Sequence, residues 1–172
     1  MYTYSFETAS TCLVCSEKYT RLYDLYFKEI ASEVPSFIRN GRITNWVVAW
    51  NGDEIIGVMG LIECNDVSDG INIKPRWMYK FFHLVVAKEH EGNGVATGLI
   101  RMAVKFLHDR RARIILNHKR SNIIPHSTFT DLGFKLTKYD EDAPIYKWNY
   151  RLDMQEADMA EVSKKWGEYE ER

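Results

Sequence analysis

The chain has 172 residues, enough for one domain that buries about two-thirds of the surface exposed by its unfolded state. Hydrophobic residues make up 45% and charged residues 27%, and the 13% aromatic share excludes a disordered chain. The formal net charge of -1 gives the chain as a whole no electrostatic preference for nucleic acid or for an anionic membrane surface.

The N-terminal residues contain no basic segment followed by an apolar core, and no run of about 18 apolar residues occurs. We therefore expect a cytoplasmic protein that neither spans nor binds a membrane. The odd number of cysteines (Cys12, Cys15 and Cys64) indicates reduced thiols. Cys12 and Cys15 have the spacing of half a metal or redox site, but no second pair of ligands follows, so we predict buried or half-buried thiols and no metal.

The first third of the sequence predicts a strand, a helix and a hairpin. Apolar residues alternate with polar ones over residues 2–9, which favours a strand. Helical spacing predicts a helix over residues 16–33. Apolar runs at 46–50 and 54–62 flank Asn51-Gly52-Asp53, a turn sequence typical of a β-hairpin.

The middle of the chain predicts a strand, an anion-binding loop and a helix. Residues 81–87 form an apolar run interrupted by His83, which favours a buried strand. Glycines 92 and 94 follow, and their missing β-carbons let backbone N–H groups approach a ligand at the positive end of the next helix. That helix should run to about residue 109 with one face on the sheet. The predicted face consists of Val95, Leu99, Met102, Ala103 and Phe106.

Two other interpretations of the glycine pair remain open at this point. One is a plain tight turn into a helix. The other is a dinucleotide fingerprint, because Gly98 extends the pattern to G-x-G-x-x-x-G. The dinucleotide interpretation lacks the acidic residue expected after the next strand, where Asn117 and His118 stand instead.

The C-terminal third predicts further α/β structure. Residues 112–116 favour a buried strand, and Pro125 opens a helix that Gly133 ends. Residues 134–139 and 145–152 favour a final pair of strands. We therefore expect an α/β fold with a mixed, largely antiparallel sheet in one domain over residues 1–152. Residues 153–172 are acidic with helical spacing, and form either a docked helix or a surface for a partner.

Two stretches of the sequence together resemble a known family. The pattern Leu84-x-Val86 followed by Glu91-x-x-Gly94-x-Ala96 resembles the acetyl-coenzyme A motif of the GNAT N-acetyltransferase superfamily, written Q/R-x-x-G-x-G/A after a strand with L-x-V. That family also tends to place an Asn after the next strand, a Tyr seven residues later, and Gly-Phe four and five residues after the Tyr. The corresponding residues here are Asn122, Phe129, Gly133 and Phe134.

The resemblance implies a GNAT-like fold that binds acetyl-coenzyme A (acetyl-CoA) and moves its acetyl group to a primary amine by direct transfer. It implies that the strand backbone pairs with the pantetheine arm and that the loop amides hold the pyrophosphate. The implied cofactor-binding residues are Leu84, Val85, Val86, Glu91, Gly92, Asn93, Gly94, Val95, Ala96, Thr97, Asn122 and Phe129.

Two residues depart from the family pattern. Glu91 replaces Gln or Arg and places a carboxylate near the pyrophosphate, unless it points into solvent. Phe129 replaces the Tyr that commonly protonates the leaving thiolate, so Thr128 becomes a candidate acid, with His126 and Thr130 as nearby alternatives. Candidate bases are His83, which interrupts the apolar strand, and Glu63 and His118, at the ends of neighbouring strands.

These departures leave three interpretations of function. The first is an acetyl-CoA-dependent N-acetyltransferase with an unknown amine acceptor, either a small molecule or a protein. The second is a GNAT-fold binding or structural protein with weak or lost catalysis. The third is an acyltransferase that acts on a nucleic-acid base or a tRNA-borne amine, suggested by a basic cluster near the fifth strand. A homodimer is compatible with each. The basic cluster consists of Arg110, Arg111, Arg113, His118, Lys119 and Arg120.

Overall fold

The computed structural model describes residues 1–8, 43–65, 77–108, 113–119, 126–140 and 147–153. Several sequence predictions lie outside these residues: the helix over 16–33, Cys12 and Cys15, Asn122, and the tail beyond residue 153. The first strand, the hairpin, the central strand and helix, and the final pair of strands are all found, with shifted boundaries.

The described residues form seven strands, one short 3-10 helix and two α-helices. The strands are Thr3–Thr8 (β1), Asn45–Asn51 (β2), Glu54–Asn65 (β3), Trp77–Val86 (β4), Arg113–Lys119 (β5), Lys135–Asp140 (β6) and Lys147–Asp153 (β7). The α-helices are Val95–His108 (α1) and His126–Asp131 (α2), and the 3-10 helix is Lys88–His90. Strand β4 begins at Trp77, four residues before the predicted start at residue 81.

The strands hydrogen bond in the order β1-β2-β3-β4-β5-β7-β6. The β1–β2, β2–β3, β5–β7 and β6–β7 pairs are antiparallel, whereas β4 and β5 are parallel. Only a crossover connection can join parallel neighbours, and α1 lies in the chain between β4 and β5. The predicted mixed, largely antiparallel α/β sheet is therefore confirmed.

The described residues divide into two compact units. The first contains residues 1–8, 43–63 and 82–106. The second contains residues 64–65, 77–81, 107–108, 113–119, 126–140 and 147–153. Among the described helices, none is both long enough and apolar enough to cross a membrane.

The first unit has its core between the antiparallel strands and α1. Trp46, Val47, Val48 and Ala49 in β2 are fully buried, so this strand is covered on both faces. The β2–β3 turn carries Gly52 at φ 60, as the Asn-Gly sequence predicted.

Helix α1 packs through a face that differs in part from the predicted one. Val95, Leu99 and Ala103 are buried as predicted, but Met102 is half-buried and Phe106 is 40% exposed, with its ring stacked on that of Phe6 at 3.5 Å between centroids. Ile100, Val104 and Leu107 are buried as well. The predicted face thus contacts the sheet but is not the most buried side of the helix, because apolar residues occupy most sides of it and spacing alone does not select the most buried one.

Close contact between α1 and β1 requires a glycine in the helix. The side chain of Tyr4 is buried, and its ring occupies the place that a β-carbon on residue 98 would take. Any larger residue at Gly98 would displace the ring or the helix.

The second unit contains a cluster of three aromatic rings. Phe81, Phe129 and Phe134 are 7%, 3% and 2% exposed. Phe134 meets the other two rings edge-on, with its centroid 6.0 Å from that of Phe81 and 6.2 Å from that of Phe129. The electrostatic quadrupoles of aromatic rings favour such edge-to-face contacts.

Candidate functional site

A short exposed turn connects strand β4 to helix α1. The backbone N–H of Ala87 donates to the carbonyl of Ile56 in β3 at 2.8 Å, and the 3-10 helix Lys88–His90 follows. Residues 91–94, here called the glycine turn, are all exposed and end where α1 begins. The predicted order of strand, loop and helix is confirmed.

Both glycines of the glycine turn have a left-handed backbone. Gly92 has φ 75 and Gly94 has φ 78, values that residues with a β-carbon adopt only at a cost. Apart from the adjoining residues, no atom of the described residues lies within 4 Å of the place where a β-carbon would be built on either glycine. Backbone conformation therefore requires glycine here, and the space above both residues is open to a ligand.

The start of α1 supplies hydrogen-bond donors beside this open space. The first helical hydrogen bond runs from the N–H of Gly98 to the carbonyl of Gly94 at 2.9 Å. By helix geometry, the N–H groups of Val95, Ala96 and Thr97 have no carbonyl partner within the helix. These donors and the positive end of the helix dipole favour an anion.

The first turn of α1 lies close against the sheet. A β-carbon on Gly57 in β3 would come within 3.1 Å of Val95 Cγ1, 3.2 Å of Leu99 Cδ1 and 3.3 Å of the Val85 carbonyl oxygen. Such distances are shorter than ordinary van der Waals contact. Gly57 therefore sets how closely the start of the helix approaches β3 and β4.

The strand residues of the motif precede the glycine turn. Val85 is buried, whereas Leu84 and Val86 are half-buried. The described β4–β5 pairs join Met78, Tyr79 and Lys80 to Arg113, Ile114 and Ile115. Residues 84–86 therefore lie beyond the described β4–β5 pairs.

Side chains shape and anchor the glycine turn. Asn93 Nδ2 donates to the carbonyl of Glu91 at 3.2 Å, and the Glu91 side chain is exposed. His90 Nδ1 lies 3.1 Å from the hydroxyl of Tyr2. The sequence did not predict the roles of Tyr2, Ile56 and Gly57. Each of them contacts residues just before or just after the turn from a distant part of the chain.

The predicted catalytic residues are described to different extents. Glu63 is half-buried near the end of β3, and its N–H donates to Thr44 Oγ1 at 3.2 Å. The Thr44 hydroxyl donates in turn to the carbonyl of Leu61 at 3.1 Å, which fixes this end of the strand. His83 lies in β4 and Thr128 in α2, but their side chains, like Asn122 and most of the basic cluster, lie outside the described residues.

Phe129 occupies the position where the sequence pattern places a tyrosine. Its side chain is buried in α2 and packs edge-on against Phe134. A phenyl ring has no proton to donate, so the side chain of this residue cannot serve as a general acid.

Comparison with known proteins agrees with this geometry. The Acetyltransferase (GNAT) family model matches residues 7–134. Human N-acetyltransferase 8B is 24% identical over 126 residues, which are 72% of this chain and 53% of that protein. The chain spans about half the length of the curated relatives it matches.

Solved structures show the same fold at low sequence identity. Arabidopsis thaliana NAA60, solved in complex with acetyl-CoA, has a TM-score of 0.67 at 13% identity over 90% of this chain and 99% of that one. An aminoglycoside 6'-N-acetyltransferase, solved with coenzyme A, has a TM-score of 0.63 at 16% identity over 88% and 96%. Since the family model covers well over half of the 172 residues, this chain belongs to the GNAT acetyltransferase family.

Proposed function

We propose that this protein is an N-acetyltransferase that moves an acetyl group from acetyl-CoA to a primary amine by direct transfer. The observation that carries the proposal is the glycine turn, where two left-handed glycines leave open space beside the free donors of a helix start. Backbone amides at a helix N-terminus are well suited to a phosphate group. The two solved relatives named above hold acetyl-CoA and coenzyme A, which supports the same ligand here.

Acetyl-CoA supplies an acetyl group that is already activated as a thioester. The amides of residues 92–97 would hold the pyrophosphate, and the backbone of residues 84–86 would pair with the pantetheine arm. A backbone N–H aimed at the thioester carbonyl would stabilise the negative charge that develops on its oxygen. The protein would thus contribute mainly by orienting the two reactants.

The reaction also needs protons to move at the nitrogen and at the sulfur. The acceptor ammonium must lose one proton before its nitrogen can attack the acetyl carbon, and the attached nitrogen must lose a second proton to become the amide, while the departing thiolate gains one as the C–S bond breaks. We assign the removal of the first proton to Glu63 or His83 and the protonation of the thiolate to Thr128. Glu63→Gln and His83→Gln then distinguish the two bases, because only the residue that acts as the base should lose turnover at neutral pH.

A second function is favoured by one observation. Phe129 is 3% exposed and part of a ring cluster, so the usual proton donor is replaced by a core residue. This suits a GNAT-fold binding protein that keeps acetyl-CoA affinity with weak catalysis. Binding and turnover must therefore be measured separately.

Calorimetry and thermal unfolding with acetyl-CoA test the binding part of the proposal. A ligand present at 100 times its Kd should stabilise the protein by about 2.7 kcal/mol. Gly94→Asp should abolish that gain, because it adds both a side chain and a negative charge to the phosphate site. Gly52→Asp is the matched control, since Gly52 also has a left-handed backbone, φ 60, and no atom within 4 Å of its missing β-carbon.

Both variants should lose similar stability without ligand, but only the Gly52 variant should keep the response to acetyl-CoA. An unchanged melting temperature of the wild-type protein at millimolar acetyl-CoA would contradict the binding proposal. Acetylation of a panel of small amines, peptides and RNA then tests transfer. Binding without any transfer across that panel would favour the binding-protein function.

A further inference from the structure

Within the described part of the chain, the glycine turn makes few contacts that hold its conformation. Its four residues are exposed. Two of its hydrogen bonds are local: the N–H of Glu91 donates to the Lys88 carbonyl at 3.2 Å, and Asn93 Nδ2 donates to the Glu91 carbonyl at 3.2 Å. Local bonds of this kind shape a turn but do not fasten it to the sheet.

Two other contacts tie the N-terminal side of the turn to distant residues of the first unit. The Ala87 N–H donates to the Ile56 carbonyl at 2.8 Å. Three residues later, His90 Nδ1 lies 3.1 Å from the Tyr2 hydroxyl, a contact between residues 88 positions apart. The His90 and Tyr2 rings also meet edge-on, with centroids 5.6 Å apart at 87°.

The Tyr2–His90 contact has two separable parts. In one tautomer of His90 the tyrosine O–H donates to Nδ1, and in the other the Nδ1–H donates to the tyrosine oxygen, so the hydrogen bond needs the Tyr2 hydroxyl in both. The edge-on packing of the rings needs no hydroxyl. Tyr2→Phe therefore removes the hydrogen bond and retains the aromatic contact.

We propose that Tyr2, acting through His90, is a positioning residue that holds the glycine turn ready for acetyl-CoA. The inference rests on the proposed function for its ligand. A turn that is already ordered loses less conformational entropy when it binds, so the hydrogen bond contributes to affinity. Tyr2 touches neither the glycine turn nor residues 84–86 in the described contacts, so the acetyl-transfer step should keep its rate once acetyl-CoA is bound.

A matched control exists in the same strand. The hydroxyl of Ser5 accepts a hydrogen bond from Trp50 Nε1 at 2.8 Å and donates to Glu7 Oε1 at 3.0 Å. Ser5→Ala also removes one hydroxyl from this end of the chain, and it disrupts two hydrogen bonds instead of one. It separates a general loosening of β1 from a specific effect on the glycine turn.

The test uses the full chain and two measurements. Titration calorimetry with acetyl-CoA should show a Kd about 3- to 10-fold higher for Tyr2→Phe, the range expected for one hydrogen bond, and an unchanged Kd for Ser5→Ala. The KM for acetyl-CoA should rise by the same factor while kcat stays constant. A double variant, Tyr2→Phe with His90→Phe, should lose no more affinity than His90→Phe alone, because both changes break the same bond.

Backbone ¹⁵N relaxation in the ligand-free protein is the second measurement. Order parameters of residues 91–94 should fall in Tyr2→Phe and stay at wild-type values in Ser5→Ala. Equal order parameters in the two variants, or an equal Kd, would overturn the inference. If the wild-type protein does not bind acetyl-CoA, the proposed function fails, and the relaxation data alone decide whether Tyr2 positions the turn.

Discussion

The backbone N–H of Phe134 donates to the carbonyl of Phe129 at 3.0 Å, and the rings of the same two residues meet edge-on. Between them, the N–H of Gly133 donates to the Thr130 carbonyl at 3.0 Å, with Gly133 at φ 87. These two bonds and the left-handed glycine form a Schellman motif, whose usual hydrophobic contact is the Phe129–Phe134 pair. The spacing of Phe129, Gly133 and Phe134 in the sequence is thus the spacing that this helix end requires.

The first prediction concerns the glycine of this helix end. Gly133→Ala should lower the free energy of unfolding by about 1 to 2 kcal/mol, because a β-carbon is unfavourable in the left-handed region. Urea unfolding measures the loss. Gly133→Asn should cost less, since Asn tolerates this conformation better. Equal losses for the two variants would mean that Gly133 is required for another reason.

The second prediction concerns the missing proton donor. Phe129→Tyr should raise a slow basal turnover by about 10-fold, because a positioned acid contributes at least that much to the departure of a thiolate. The added hydroxyl enters a buried site and should lower the free energy of unfolding by about 1 to 3 kcal/mol. Steady-state kinetics and urea unfolding measure the two effects.

Phe134→Tyr is the control for this substitution. It adds the same hydroxyl to a second buried ring in the same cluster, 2% exposed, and should lower stability without raising turnover. Unchanged turnover in Phe129→Tyr would show that another group, such as Thr128, already protonates the thiolate.

The third prediction concerns the carboxylate of the glycine turn. Glu91→Gln should lower the Kd for acetyl-CoA by about 3-fold or more at low salt, because it removes a negative charge from the proposed phosphate site. The gain should shrink as salt screens the charges. Glu54→Gln, in an exposed residue of the β2–β3 hairpin, removes the same charge elsewhere. Equal affinities for the two variants in calorimetry would show that the Glu91 carboxylate points away from the ligand.

Local sequence signals predicted the parts of the fold that depend on neighbouring residues. The Asn51-Gly52 turn, the glycine pair at 92 and 94 and the helix end at Gly133 all combine a residue type with a backbone conformation within a few positions. Such signals are independent of the rest of the chain, which is why the order of strand, turn and helix could be read from the sequence.

Features that depend on distant segments could not be predicted in the same way. Tyr2 contacts His90 across 88 positions, and Gly57 is required by Val95 and Leu99, which approach it from α1. No pattern in the sequence links these residues. The partial exposure of Phe106 in α1 has a related cause, since the burial of each apolar residue of this helix depends on β1 and the other strands rather than on the helix alone.

Tyr4 gives the fourth prediction, which concerns alkaline pH. Burial raises the pKa of its phenol above the ordinary value, and the neighbouring Tyr2 adds to the increase, while Arg101 opposes it. In the unfolded chain this phenol should titrate near a pKa of about 10. Below that pH Tyr4 is neutral in both states and contributes no pH dependence.

As the pH rises through about 10, the unfolded chain releases the Tyr4 proton before the folded protein does, so the free energy of unfolding falls. The fall continues until the pH passes the raised pKa of the folded protein. Tyr4→Phe has no proton to release here and should lack this part of the decrease. Urea unfolding of both proteins from pH 8 to about pH 10.5 should therefore show the wild-type protein losing stability faster than the variant, by at most about 1.4 kcal/mol per pH unit. A difference between the two proteins that stays constant over this range would contradict the assignment of a raised pKa to Tyr4.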